Sequence, residues 1–245
     1  MNLNQYEEQT AKFFGETVFR DLRQLKLHSI YRPQSKYFQR CFEALLEVED
    51  QFIQDLIFNI KEQRVEGAFA EFGIFQGAWI ERFYQITERI GLSDRDIYGF
   101  DSFQGLSAPH SEYDGPFWKE GMYAASREEV EERLDILKRP RIKLIEGFFE
   151  QSLKTAEAQK VKSIAFSRID CDIYEPAKEC LEFLSNRLAH NSVLVFDDWP
   201  HSFEIGEGRA FAEWVPTVPH LGFEFIFMGP WDHLHLRVTH RNRPK

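Results

Sequence analysis

Residues 65–80 read V-E-G-A-F-A-E-F-G-I-F-Q-G-A-W-I. Residues 67–72 are small or apolar apart from Glu71, Gly73 and Gly77 permit a tight turn, and residues 78–89 carry a helical pattern. Strand, glycine turn and helix in that order open a doubly wound α/β sheet. The turn at the carboxyl end of such a strand is where these sheets take up nucleotide-like ligands, because side chains there would keep a ligand away from backbone. A dinucleotide site uses G-x-G-x-x-G, with helix amides aimed at a pyrophosphate. Here the turn reads E-x-G-x-x-x-G and places a carboxylate, Glu71, where it would repel phosphate. The pattern suits a ligand with positive charge and no phosphate, which describes S-adenosylmethionine. A glycine turn with no ligand is the other reading of the same residues.

The 245 residues, 43% of them hydrophobic and free of low-complexity tracts, suffice for one substantial core, and no second catalytic domain is expected. A net charge of -10 argues against a nucleic-acid partner, and the basic residues 240–245 are too few to reverse it. No run of 18 apolar residues occurs and the first residues, M-N-L-N-Q-Y-E-E, are polar and acidic. Neither a membrane span nor a secretory signal is expected, which implies a cytoplasmic protein. Cys41, Cys171 and Cys180 have no C-x-x-C spacing and are read as buried thiols.

Residues 3–28 carry Phe13, Phe14, Val18, Leu22 and Leu25 at helical spacing, and a second helical pattern spans 35–60. These helices form an expected cap over residues 1–62, available to cover the sheet edge, cap a site or join a homo-oligomer; residues 63–245 form the sheet domain. Residues 96–100 are a strand ending at Asp101, placed to accept hydrogen bonds from ribose hydroxyls, or to cap a turn together with Ser102. Residues 102–125, rich in Gly, Pro and aromatics, are read as a lid over a ring-bearing or sugar-like substrate, with a packed Ω-loop as the alternative. Ser126 and Glu129 form a capping box that opens a helix to about residue 138. A strand over 141–145 then ends at Gly147 and Phe148, a turn expected to flank an adenine or to be turn chemistry alone.

Strands over 163–170 and 192–197 each deliver two acids at their carboxyl ends, Asp170 and Asp172, Asp197 and Asp198. Parallel neighbours lie about 4.8 Å apart, so the four converge on the edge that carries Gly73 and Asp101. Like charges so close raise one another's pKa, and protons or a cation must neutralise them. Oxygen donors without Cys or paired His favour Mg²⁺, with Ca²⁺ and Mn²⁺ as other hard ions; caps of the following helices would explain one Asp per strand. Residues 208–215 read as a helix, and residues 222–228 and 233–239 as a hairpin whose last strand is antiparallel. His233 and His235 within it are read as satisfied strand histidines.

F-A-E-F-G-I-F-Q-G, Y-G-F-D-S-F-Q-G-L, R-I-D-C-D-I-Y-E-P and V-F-D-D-W together resemble the class I S-adenosylmethionine-dependent methyltransferases. More narrowly, residues from about 35 to 240 resemble the macrocin O-methyltransferase family, which methylates sugar hydroxyls of glycosylated natural products with Mg²⁺. The resemblance implies a Rossmann-like, mostly parallel seven-stranded sheet with an antiparallel last strand. It implies that Glu71, Gly73, Phe75 and Gly77 shape the cofactor turn, that Asp101 and Ser102 hold the ribose, and that Gly147, Phe148 and Asp170 complete the cofactor site. Asp170, Asp197 and Asp198 would ligate the metal, and Asp172 would be the general base. His201 is a rival base, or a surface histidine. The acceptor is expected to be a small molecule, a sugar hydroxyl or alternatively a catechol or phenol.

Overall fold

The computed structural model describes residues 36–200, 202–229 and 232–241. The helix expected over residues 3–28 lies outside them. Helix α1 (Lys36–Glu62) turns Ile53, Leu56, Ile57 and Ile60 inward, the spacing of a one-faced amphipathic helix. These residues pack beside Phe83 and Ile86 of α2 (Ala78–Ile90), and Lys61 donates to the Ile90 carbonyl at 2.6 Å, tying the two helix ends together.

Seven strands form one sheet: β1 (Ala68–Phe72), β2 (Ile97–Asp101), β3 (Ile142–Glu146), β4 (Ile164–Ile169), β5 (Leu188–Phe196), β6 (Leu221–Met228) and β7 (Leu234–His240), in the order β3-β2-β1-β4-β5-β7-β6. The first five are parallel; β7 runs antiparallel to both β5 and β6 and separates them. This is the Rossmann-like arrangement expected, with the last strand antiparallel. The chain leaves β1 toward β2 and β3 and later returns to β1's other side as β4. The loops after β1 and β4 therefore diverge and open a crevice at the carboxyl edge.

The central parallel strands β1, β2 and β4 are buried on both faces, as strands with helical crossovers must be. Phe72 and Phe100 stack at 4.8 Å on one face, near Phe149 of α4 (Phe149–Ser152) and Phe183 of α5 (Tyr174–Leu184). Phe69, Phe83 and Phe166 meet on the other. Cys171 and Cys180 are both buried, their sulfurs 3.8 Å apart. Among the described residues no helix is long and apolar enough to cross a membrane.

Helix α3 (Arg127–Arg133) opens with the expected capping box: the Ser126 hydroxyl accepts the Glu129 N–H at 3.2 Å and the Glu129 carboxylate accepts the Ser126 N–H at 3.1 Å. It ends earlier than the sequence suggested. Leu134 is fully buried and Asp135 turns left-handed (φ 48), so residues 136–138 continue only as a 3₁₀ turn. Ser126→Ala is expected to lower stability by about 1 kcal/mol, read as a shift in the urea midpoint with unchanged slope.

Candidate active site

Gly73 turns the chain out of β1 with φ 82, and its N–H donates to the Phe100 carbonyl at 2.8 Å. A Cβ here would overlap the carbonyl oxygen of Asp170, so glycine is what lets the exits of β1 and β4 pass each other. Asp101 ties this turn down. Its Oδ2 accepts the N–H groups of Ile74 (2.7 Å) and Phe75 (3.1 Å), and its Oδ1 that of Phe103 (2.7 Å). Three of the roughly four acceptor positions of a carboxylate are thus engaged by backbone. Of the two roles the sequence allowed, the structure engages Asp101 in turn capping. Ser102 is also committed: its hydroxyl donates to the Gly105 carbonyl and accepts the Gln104 N–H.

Gly147 (φ 125) donates to the Asp101 carbonyl at 2.9 Å, and the half-exposed rings of Phe75 and Phe148 flank the crevice. The Phe75 ring meets Tyr123 edge-on, with centroids 5.8 Å apart. Gly77 does not line the crevice. It starts α2 with φ 78, and a Cβ there would press to 3.1 Å from Leu134, so its smallness serves helix packing.

Glu71 requires a correction. It is not in the turn facing a ligand but inside β1, 1% exposed and in register with Arg168 of β4. Arg168 is itself 4% exposed; its Nη1 donates to Glu71 and to Asp170, each at 2.6 Å, and its Nη2 to Asp197. Its guanidinium also lies over the Trp79 ring at 4.6 Å. Burial pushes the Glu71 carboxyl well above its usual range, with Arg168 pulling the other way. Arg168 was missed at the sequence level. The available signal was a lone arginine in an otherwise apolar strand, which must find carboxylates when buried.

The structure also regroups the four aspartates. Ligand atoms of Asp170, Asp172 and Asp198 lie within 4.8 Å of one another. Asp197, assigned to the metal by resemblance, is outside that group, and its Oδ1 faces Arg168 and the Nε2 of His233 (2.8 Å). Burial opposes its ionisation, yet Arg168 and His233 outweigh burial and hold its carboxyl well below the usual range. His233 bridges onward through Nδ1 to Glu49 of α1 at 2.6 Å, while the Nδ1 of His235 contacts the His233 carbonyl at 3.2 Å. Asp172 adopts φ 63, and burial together with the adjacent Asp198 pushes its carboxyl up to about 11. Burial likewise raises Asp170, with Arg168 opposing. His201 lies outside the described residues.

Three convergent carboxylates, with Asp170 and Asp172 pushed up by burial and neighbouring charge, require neutralisation, and the all-oxygen donor set fits a hard divalent cation. A cavity of about 860 Å³ joins this cluster to the glycine turns, lined by Gly73, Phe75, Gly147, Asp170, Asp172 and Asp198 among others. Its size is that of a small-molecule site, and its acidic wall fits a ligand bearing a sulfonium and an amino group.

The loop over residues 102–125 closes on itself through Leu106 N–H to Met122 (2.9 Å) and Gly121 N–H to Leu106 (2.9 Å). Its middle is docked: Asp114 accepts the Tyr174 N–H at the start of α5 (2.7 Å), and the Tyr113 carbonyl accepts the Gly206 N–H (2.7 Å). This packing is that of the Ω-loop alternative, while Leu106, Met122 and Tyr123 line the cavity and Phe117 stays 63% exposed.

A family model described as Macrocin-O-methyltransferase (TylF) matches residues 49–208. The demethyldecarbamoylnovobiocin O-methyltransferase of Streptomyces niveus is 26% identical over 163 residues, which cover 63% of this chain and 59% of that protein. The match therefore spans under two thirds of the curated relative's length. Among solved structures, the O-methyltransferase NovP superposes with a TM-score of 0.63 at 20% identity, over 78% of this chain and 79% of that one. CalS11, a calicheamicin methyltransferase, gives 0.63 at 22% identity over 91% and 93%. Both share the fold described above.

Proposed function

Because this chain belongs to the macrocin O-methyltransferase family, we propose that it transfers a methyl group from S-adenosylmethionine to a hydroxyl of a small molecule, a sugar of a glycosylated natural product. The observation that carries this reading is the single cavity joining the glycine turns to the converged carboxylates. A donor placed at the turns would face an acceptor placed at the acids. When bound, S-adenosylmethionine supplies the electrophilic methyl group, and a divalent ion such as Mg²⁺ supplies positive charge that acidifies the acceptor hydroxyl.

The chain's own residues do the rest. Gly73 and Gly147 leave room for the cofactor to approach backbone, and Asp101 holds the first turn in shape. Asp170 and Asp198 would hold the ion, with Asp172 beside them. A sugar hydroxyl is a weak nucleophile near neutral pH, so a carboxylate within hydrogen-bond reach must take its proton as the oxygen attacks. Asp172, at the cavity wall, matches the family's position for that base. Phe75 and Tyr123 offer ring faces to an acceptor and help exclude water.

Labelled S-adenosylmethionine incubated with glycoside and catechol panels tests the reading. Label is expected in a glycoside, abolished by chelator and restored by Mg²⁺. Full activity in chelator would remove the metal, and label confined to catechols would replace the acceptor class.

A further inference from the structure

Glu207 is the second residue of α6 (Gly206–Trp214), and its side chain is fully buried. An acid in the first turn of a helix is ordinarily explained by the positive end of the helix dipole, which it can serve from solvent. Glu207 instead turns inward. Its Oε1 accepts the N–H of Cys171 at 3.2 Å, and its Oε2 is buried without a hydrogen-bond partner. Strand pairing holds the preceding amide, Asp170 N–H to Phe72 at 2.8 Å, but β4 has ended and no strand carbonyl receives that of Cys171.

Cys171 lies between Asp170 and Asp172, two of the three converged acids. The backbone there is tightly wound: Asp172 is left-handed, and the Ile173 N–H closes back on the Cys171 carbonyl at 2.6 Å. The first turn of α6 lies beside it, since a Cβ at Gly206 would stand in ordinary contact, 3.5 Å, with the Asp172 carbonyl oxygen. Gly208, one turn position on, has no room for a Cβ beside the Ser202 carbonyl, so Glu207 cannot drift outward without moving the helix.

We propose that Glu207 is a positioning residue of the acidic centre, anchoring the Cys171 amide so that the carboxylates of Asp170 and Asp172 stay converged with Asp198. The inference rests on the reading of that centre as a divalent-cation site. Without the anchor a buried N–H loses its acceptor, and the turn relaxes to find another.

Mn²⁺ titrated by electron paramagnetic resonance into the full-length wild type, Glu207→Leu and Glu207→Gln provides the test. The Leu variant is expected to bind Mn²⁺ about 10- to 100-fold more weakly, while Gln, whose amide oxygen accepts the same N–H, stays within about threefold of wild type. S-adenosylmethionine affinity should be unchanged in both. Wild-type Mn²⁺ affinity in the Leu variant would overturn the proposal. So would a Gln variant as weak as Leu, because charge and not the amide contact would then be at work. Amide exchange over residues 170–173 reads the anchor without metal: faster exchange is expected in Leu and not in Gln, and unchanged exchange in Leu would overturn the proposal. A wild type that binds no Mn²⁺ sinks the cation reading, and exchange still decides the anchor. If Leu fails to fold, a Gln variant that loses Mn²⁺ affinity or exposes the Cys171 amide is the overturning result.

Discussion

Arg168→Met is expected to lower folding stability by about 3–5 kcal/mol, the cost of stripping one partner from a buried ion cluster. The size follows from what the guanidinium holds: Glu71, Asp170 and Asp197, in a site where Arg168 and Glu71 are almost fully buried. Methionine fills most of the volume but leaves three acids with His233 as the cation facing Asp197. Arg168→Lys should recover only part of the loss, since a single ammonium cannot fork to three carboxylates. The pH dependence has a definite sign. Uncompensated buried acids have folded pKa values above their unfolded values, so the variant's deficit is smallest below pH about 4 and grows as pH rises past the ordinary carboxylate range. Urea unfolding at several pH values checks both; a deficit under about 1 kcal/mol at neutral pH would mean that the acids are accommodated without this cation.

Asp172→Asn is expected to reduce turnover by about 10²- to 10⁴-fold, the usual contribution of a positioned proton acceptor. S-adenosylmethionine affinity should persist, because the glycine turns are untouched. Stability should hold or rise, since burial and Asp198 make the Asp172 carboxyl take up a proton on folding near neutral pH, a cost the amide does not carry. A merely structural acid would show the reverse, loss of stability with turnover intact. Single-turnover assays with isothermal cofactor titrations separate the two, and unchanged turnover would dismiss Asp172 as the base.

The strands and helices were legible because hydrophobic period, glycine turns and the Ser126 capping box agreed with one another. The acids at the ends of β4 and β5 were legible for the same reason, since a sheet edge is a matter of strand direction. Which acids converge was not. Asp197 and Asp198 are adjacent, and one belongs with Arg168 and His233 while the other joins Asp170 and Asp172, a division set by partners that are distant in sequence. Glu71 illustrates the same gap. Its motif suggested a loop, whereas pairing with Arg168 depends on β4 inserting next to β1, which local pattern does not encode. Glu207 fell just outside the helix read over residues 208–215, and burial leaves no mark on a helix's composition.

The wedging of β7 between β5 and β6 also has a consequence for how the polypeptide is made. As the ribosome extrudes residues 221–228, the position that segment will occupy does not yet exist, because its neighbour has not been translated. Until residues 234–240 emerge, the nascent sheet ends at β5 with a row of open backbone donors and acceptors, available to any passing extended chain. Ribosome-stalled chains cut before residue 234 should therefore engage holdase chaperones that full-length chains escape.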